Sequence, residues 1–288
     1  MRLTRRDRVV LFGPFVLVVT ALLIGPAVLG LLATFTTYAP GRTTTELVGS
    51  ANYAAVFASG QFLVAARNVA VFVLVAVPLE LGIGFSLAYV LRRSFRGRGL
   101  WRVLLLVPWL VSPIANGVMW HFLFSDSTGL LNYGLAAVGL PSQPSPLSQH
   151  GLALLTTIGV EVWRTSPLVA FLLLPSLSAI SDEKWEHATI EGASWFSQVR
   201  HVALPSIRPI VLAVTMLLTG AALGTFDTVL ILTGGGPGSE TMTPALFSYQ
   251  QAFGVNNWPV GATSAWLIVL AVLVVGGVYL TLARRVDS

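Results

Sequence analysis

The sequence predicts an all-α polytopic membrane protein with six transmembrane helices and both termini cytoplasmic. Three observations predict it. Of 288 residues, 55% are hydrophobic and 10% charged, and the mean hydropathy is +0.78. A soluble domain carries about 25% charged residues, so this chain lacks the ions to cover a water-facing surface. Six stretches are long and apolar enough to span a bilayer, roughly 9–35, 68–91, 103–124, 152–180, 209–232 and 260–283. The basic residues gather in alternate connections between them.

Each stretch has its own justification. A spanning helix needs about 20 mostly apolar residues, because backbone amides must pair internally in hydrocarbon. No residue between Arg8 and Arg42 is charged. The first stretch follows Arg2, Arg5, Arg6 and Arg8 like the start of a signal peptide, but its apolar run is much longer than the usual 7–15 residues and no Ala-x-Ala closes it. It is expected to be retained. In the last stretch, Asn256-Asn257-Trp258-Pro259 reads as cap, interface anchor and first-turn proline. Of the 17 basic residues, the N-terminal tail, Arg92, Arg93, Arg96, Arg98, Arg102, Lys184, Arg200, Arg208, Arg284 and Arg285 all fall on one side of six spans. The opposite loops hold only Arg42 and Arg67, so that side is cytoplasmic.

The same placement excludes other classes. The net charge of +5 is orientation signal rather than a nucleic-acid surface. The absence of cysteine excludes disulfides, iron–sulfur clusters and thiolate zinc sites, and the four His are scattered without metal spacing. No connection exceeds about 30 residues, which leaves no room for a soluble catalytic domain. The organisation expected is a cytoplasmic tail at 1–8, a membrane domain over 9–283 with a cytoplasmic loop at 181–208, and a tail at 284–288. Residues 139–150 form a turn-rich outer loop.

The loop 181–209, SDEKWEHATIEGASWFSQVRHVALPSIRP, carries two amphipathic pieces. Ser181 or Asp182 caps the first, with Asp182 and Glu183 in the turn where the helix dipole favours acids. Gly192 ends it. Ser194 caps the second, in which Trp195, Phe196, Val199 and Val202 fall on one side. Pro205 and Pro209 stop that piece and start the next span. Physics alone allows a hairpin resting on the inner membrane surface. The loop also resembles the EAA loop of bacterial ABC-importer permeases, whose pattern is Glu-Ala-Ala, two variable residues, Asp-Gly-Ala and a closing Leu-Pro-x-x-x-Pro. Glu186, Ala188, Gly192, Ala193, Leu204, Pro205 and Pro209 match it in register. His187 stands at the first alanine, Glu191 at the aspartate and Val199 at the usual phenylalanine. The resemblance implies a type I ABC-importer permease fold and a coupling helix that docks on an ATPase subunit. Ala188 and Ala193 are expected to permit close approach, and Glu186 and Glu191 to meet basic groups.

Near the outer end of the fifth stretch lie Phe226-Asp227-Thr228, Leu232-Thr233-Gly234-Gly235-Gly236-Pro237, Thr241, Tyr249 and Phe253. The glycines lack the Lys of a phosphate loop, so they read alone as a tight turn. Together with Glu161-Val162-Trp163-Arg164-Thr165-Ser166-Pro167, Pro108-Trp109 and Asn52-Tyr53, they resemble the first-type permease of carbohydrate importers such as the maltose, lactose and glycerol-3-phosphate systems.

Glu80, Glu161, Arg164 and Asp227 are ionisable groups inside apolar stretches, which costs about 2.5–3.5 kcal/mol each on insertion scales. Glu161 and Arg164 are three apart and can pair, while Asp227 is near a helix end. A sugar needs aromatic faces and hydroxyl partners. Trp109, Asn116 and Trp120 supply these in the third stretch and Trp163 in the fourth, with Pro108 and Pro113 breaking regularity nearby. Asn116, Trp120, Trp163, Arg164 and Asp227 are the expected lining of a solute path. The resemblance implies alternating access for a sugar or polyol and no covalent chemistry. It implies no cofactor in this chain, with ATP and magnesium on two separate ATP-binding subunits. A second permease, an extracytoplasmic solute-binding protein and membrane lipid complete the implied partners, in a bacterial cell membrane. An ion-gradient-driven transporter using Glu80, Glu161 or Asp227 is the rival reading, and it leaves the amphipathic loop unexplained.

Overall fold

The computed structural model describes residues 5–41, 43–125 and 129–287. The predicted tail charge at Arg2 and the outer charge at Arg42 lie outside the described residues. α1 (Arg5–Val19) passes through a π-helical turn at Thr20–Ile24 into α2 (Gly25–Ala33). The chain returns through an isolated bridge between Thr36 and Leu47 to α3 (Ala51–Ala58). Asn52 holds this corner, its amide donating to the carbonyls of Thr34 (2.9 Å) and Thr36 (3.0 Å). Tyr53 completes it with a 3.0 Å bond between its hydroxyl and that of Thr34.

Ser59, in extended conformation, accepts from the Phe62 amide and starts α4 (Gly60–Arg92). At 33 residues α4 is about 50 Å long, and it begins eight residues before the predicted second span. The third predicted span is not one helix. α5 (Arg98–Leu110) and α6 (Pro113–Leu123) meet at 88°. Pro113 cannot donate the bond that would continue α5, and the Ser112 hydroxyl accepts from the Ala115 amide to cap a new helix. α7 (Leu130–Ala137) lies in the outer loop, and α8 (Leu152–Ser178) carries Pro167 and Pro175 inside it.

The next connection contains α9 (Asp182–Ile190), α10 (Trp195–Gln198), a π-helical turn at Val199–Ala203 and α11 (Leu204–Ser206). It turns by 86° into α12 (Arg208–Leu223). Pro209 removes the donor that the Pro205 carbonyl would have met, which explains the corner at Ile207. The fifth predicted span is interrupted as well, since α12 ends at Leu223 and α13 (Asp227–Leu232) starts separately. α14 (Pro244–Tyr249), a π-helical turn at Gln250–Gly254 and α15 (Trp258–Asp287) close the chain.

Four helices among the described residues are long and apolar enough to cross a membrane, or up to six if each of the two bent pairs forms one span. Their interior is built on α4 against α8. Gly84 allows this approach, because a Cβ there would stand 2.5 Å from the Val169 side chain and 2.9 Å from the Ser166 carbonyl. Phe72, Ile158, Leu173, Leu177, Ile207 and Leu218 fill the core around the contact. Val56, Phe62, Val229, Leu246, Phe247 and Val260 form a smaller outer cluster. No residue in the apolar window of the first span is fully buried within the chain.

At one end of the bundle, Glu240 joins two distant loops. Its carboxylate accepts from the Gly151 amide at the start of α8 and bonds the His150 ring, both at 2.8 Å. Gly151 has no capping side chain of its own, so a residue 89 positions away serves the helix end. The Gly151 bond, then the His150 bond, hold the Glu240 carboxyl below its ordinary value of 4.5. A depressed folded value stabilises the folded state above 4.5, and that contribution disappears as pH falls through the folded value. Protection of the Gly151 amide relative to its intrinsic exchange rate is therefore expected to fall as pH drops through the folded value in the native chain. In Glu240→Gln that protection should be low and should not change across the same window. Equal protection in both chains at pH 7 would remove the clasp.

Candidate functional site: the intramembrane polar cluster and the cytoplasmic loop

Glu161 is the centre of the polar cluster. Arg164, one turn along α8, pairs with it through Nη2 to Oε1 and donates from Nε to Oε2 at 3.3 Å. Thr165 donates to Oε1 at 3.2 Å, and Thr228 on α13 donates to Oε2 at 3.2 Å. The carboxylate thus accepts from four groups, which compensates the cost of a charge inside a span. Glu80, itself buried, lines the same cavity of about 140 Å³ together with Trp109, Glu161 and Arg164. Asp227 is half-buried in the first turn of α13, with Phe226 rather than Asp227 at the cap, and it makes no bond to this cluster.

The predicted aromatic pair is in contact. Trp120 and Trp163 cross edge-to-face at 5.4 Å, joining α6 to α8, and Trp120 also stacks on Phe124. Asn116 is completely buried on α6, yet neither its amide nitrogen nor its oxygen has a hydrogen-bond partner. The Trp120 indole N–H is buried and unpartnered as well. Unmade bonds of this kind cost about 1–3 kcal/mol each, so such groups are unusual without a role. Gly117 beside them lets α6 lie against Ile231 and the Thr228 carbonyl of α13. His121 ties the same two helices through Nδ1 to the Leu232 carbonyl at 2.9 Å. The glycine run after α13 is a folded turn, in which Thr241 bonds both Thr233 and the Gly236 carbonyl. Thr165 and Thr228 stand within the quoted motifs but had no assigned role, and His121 had none either, because hydroxyls and single histidines carry no spacing signal.

In the loop after α8, α9 ends in a Schellman motif. Gly192 takes φ +74°, its amide donates to the Thr189 carbonyl (3.0 Å), and the Ala193 amide reaches back to Ala188 (2.9 Å). The Gly-Ala step of the motif therefore has a backbone cause. Ser194 caps α10 through the Ser197 amide, whereas Ser181 stands at the α9 cap position without a side-chain bond. Ala188 is buried against its own chain, so the close approach expected of it is intramolecular. Glu186, Glu191, Ile190, Phe196 and Leu204 face outward, with Ile190 83% exposed. The second piece does not keep one apolar side. Its π-helical turn buries Val199 and Ala203 and leaves Trp195 and Phe196 exposed.

The sequence profile of the binding-protein-dependent transport system inner membrane components matches residues 80–288. The chain belongs to that family. This permease is 32% identical over 240 residues to the trehalose/maltose transport system permease protein MalF of Thermococcus litoralis, covering 82% of this chain and 80% of that one. It is 28% identical over 238 residues to the trehalose transport system permease protein SugA of Mycobacterium tuberculosis, covering 83% and 75%. In fold it is similar to a chain of a bacterial ABC transporter involved in the import of the acidic polysaccharide alginate. That likeness has a TM-score of 0.83 at 18% identity and covers 98% of both chains. The permease is a multi-pass membrane subunit of an ABC importer and a transport protein rather than an enzyme. The ion-gradient reading is set aside by this membership.

Proposed function

We propose that the permease forms half of the translocation path for a sugar or related polyol and receives the ATPase stroke through α9. The observation that carries the path is the buried, unpartnered amide of Asn116 beside the unpartnered indole of Trp120. A hydroxylated ring offers both the donors and acceptors that Asn116 lacks and a face for Trp120 and Trp163. Arg164 is neutralised by Glu161, so it orders the path wall rather than attracting an anion. Asp227, half-buried at the head of α13, completes the proposed lining. The names of the trehalose and maltose permeases support sugar as the solute class.

On the cytoplasmic side, Glu186, Glu191 and Ile190 present the docking face, Ala188, Gly192 and Ala193 shape its end, and Leu204 and Pro205 set the corner to α12. Two ATP-binding subunits hold ATP and magnesium, a second permease completes the path, and an extracytoplasmic binding protein delivers the solute. Both termini are cytoplasmic in a bacterial inner membrane. Mild solubilisation of the tagged chain should recover these partners together. In the same assembly, with trehalose and maltose as probes, Asn116→Ala and Trp120→Ala should each lower uptake about tenfold at matched abundance. Recovery as a lone homo-oligomer would refute the assembly, and unchanged uptake constants in both variants would remove α6 from the path.

A further inference from the structure

The cytoplasmic end of α4 grips the loop that follows α8. Arg92 sits over the Trp185 indole of α9, its guanidinium carbon 3.8 Å from the ring centroid. It has no carboxylate partner among the described residues, so this stacking is its principal contact. Tyr89, one turn earlier on α4, meets Trp185 at 5.6 Å and Trp195 of α10 at 6.1 Å, both edge-on. Its hydroxyl approaches Gln198 Oε1 at 3.3 Å, and Arg93 donates to that hydroxyl at 3.4 Å. Gln198 in turn donates to Thr189 Oγ1 and to the Ala193 carbonyl, at the end of α9. Tyr89 and Trp185 are each only 5% exposed. Two residues of one span therefore hold both short helices of the loop, and that span is packed on α8 at Gly84.

We propose that Arg92 and Tyr89 are positioning residues for energy coupling, forming with Trp185 the rigid joint that passes displacement of α9 into the α4–α8 pair. The proposal rests on the docking role given to α9 above. The geometry supports it because α9 has no continuous helical link to α4. Beyond the three-residue backbone link from α8, a movement of α9 reaches α4 through side chains, and the edge-on rings with the cation over the indole tie the two together. A loop needing only to rest on the membrane has no use for such a clamp, and Arg92 then serves water or headgroups.

The chain has no cysteine, so single labels can be placed at will. In the assembled importer, Ile190→Cys carrying a photoactivatable maleimide reports docking on the ATPase subunit. Ala221→Cys, beside the Glu80 cavity, reports span movement through its N-ethylmaleimide rate with and without a non-hydrolysable ATP analogue. In Arg92→Met we expect docking and ATP hydrolysis to persist while the analogue-induced change in labelling rate falls about tenfold. Arg92→Lys, which keeps a cation over the indole, should restore most of the response. Tyr89→Phe, which keeps the ring and loses both hydroxyl bonds, should give an intermediate loss. An undiminished response in Arg92→Met and Tyr89→Phe overturns the joint while leaving docking intact. Loss of docking together with the response also overturns it, because the residues then only shape the loop. Absence of the Ile190→Cys cross-link in the parent chain overturns the docking role itself.

Discussion

Gly192→Asp is expected to abolish uptake while the protein remains in the membrane at normal abundance. Gly192 sits at φ +74° as the left-handed residue of the Schellman motif, and no atom lies within 4 Å of the position a Cβ would take. The fold therefore has space for the side chain and bears only the backbone strain, about 1 kcal/mol, which aspartate tolerates better than most residues. The functional damage arises outside the chain. A third carboxylate beside Glu186 and Glu191 adds bulk and charge to the exposed end of α9, where a docked partner has to fit. Gly192→Asn separates the two effects, since asparagine accepts the same backbone without the charge. Uptake in the asparagine variant should exceed that of the aspartate variant at equal abundance, measured by transport and membrane quantification together. Normal uptake by Gly192→Asp would refute the docking role of α9.

Glu161→Ala should be the most destabilising single substitution in the polar cluster. It strands the Arg164 guanidinium inside a span and deprives Thr165 and Thr228 of their shared acceptor. Breaking a buried pair from one side costs about 3–5 kcal/mol, against a total stability of about 5–15 kcal/mol. Removing both partners is gentler. Glu161→Leu combined with Arg164→Met leaves no uncompensated charge and should regain most of the loss, read as thermal unfolding of the purified protein in detergent. A single variant as stable as the parent, or a double variant no better than the single, would show that the pair is solvated rather than structural.

Much of this architecture was legible because the membrane is a simple reader of sequence. Apolar length found the four helices able to cross a membrane, and the three-residue spacing found the Glu161–Arg164 pair. Breaks within stretches were less visible, since hydropathy does not register direction. Pro113 and Pro209 marked two corners, but their angles depend on the caps at Ser112 and Ile207. What escaped were partnerships between elements distant in the chain. Thr228 bonds a carboxylate 67 positions earlier, and nothing local announces it. Arg92 carried weight only as an orientation charge, whereas in the fold it covers Trp185. The side on which Ala188 is buried follows from that same distant contact, so loop periodicity could not assign it.

The first span touches little of its own chain, and wherever lipid covers it, lipid has no memory of which apolar side chain it meets. A surface solvated in this way is held to a composition and a length rather than to particular residues. Its substitutions can accumulate with small effect on the interior, provided they remain hydrophobic. Behind it, side chains of α4 such as Phe85, Ala88 and Tyr89 sit in the core among specific neighbours. Apolar exchanges in the first span should therefore leave stability closer to the parent than the same exchanges at those positions.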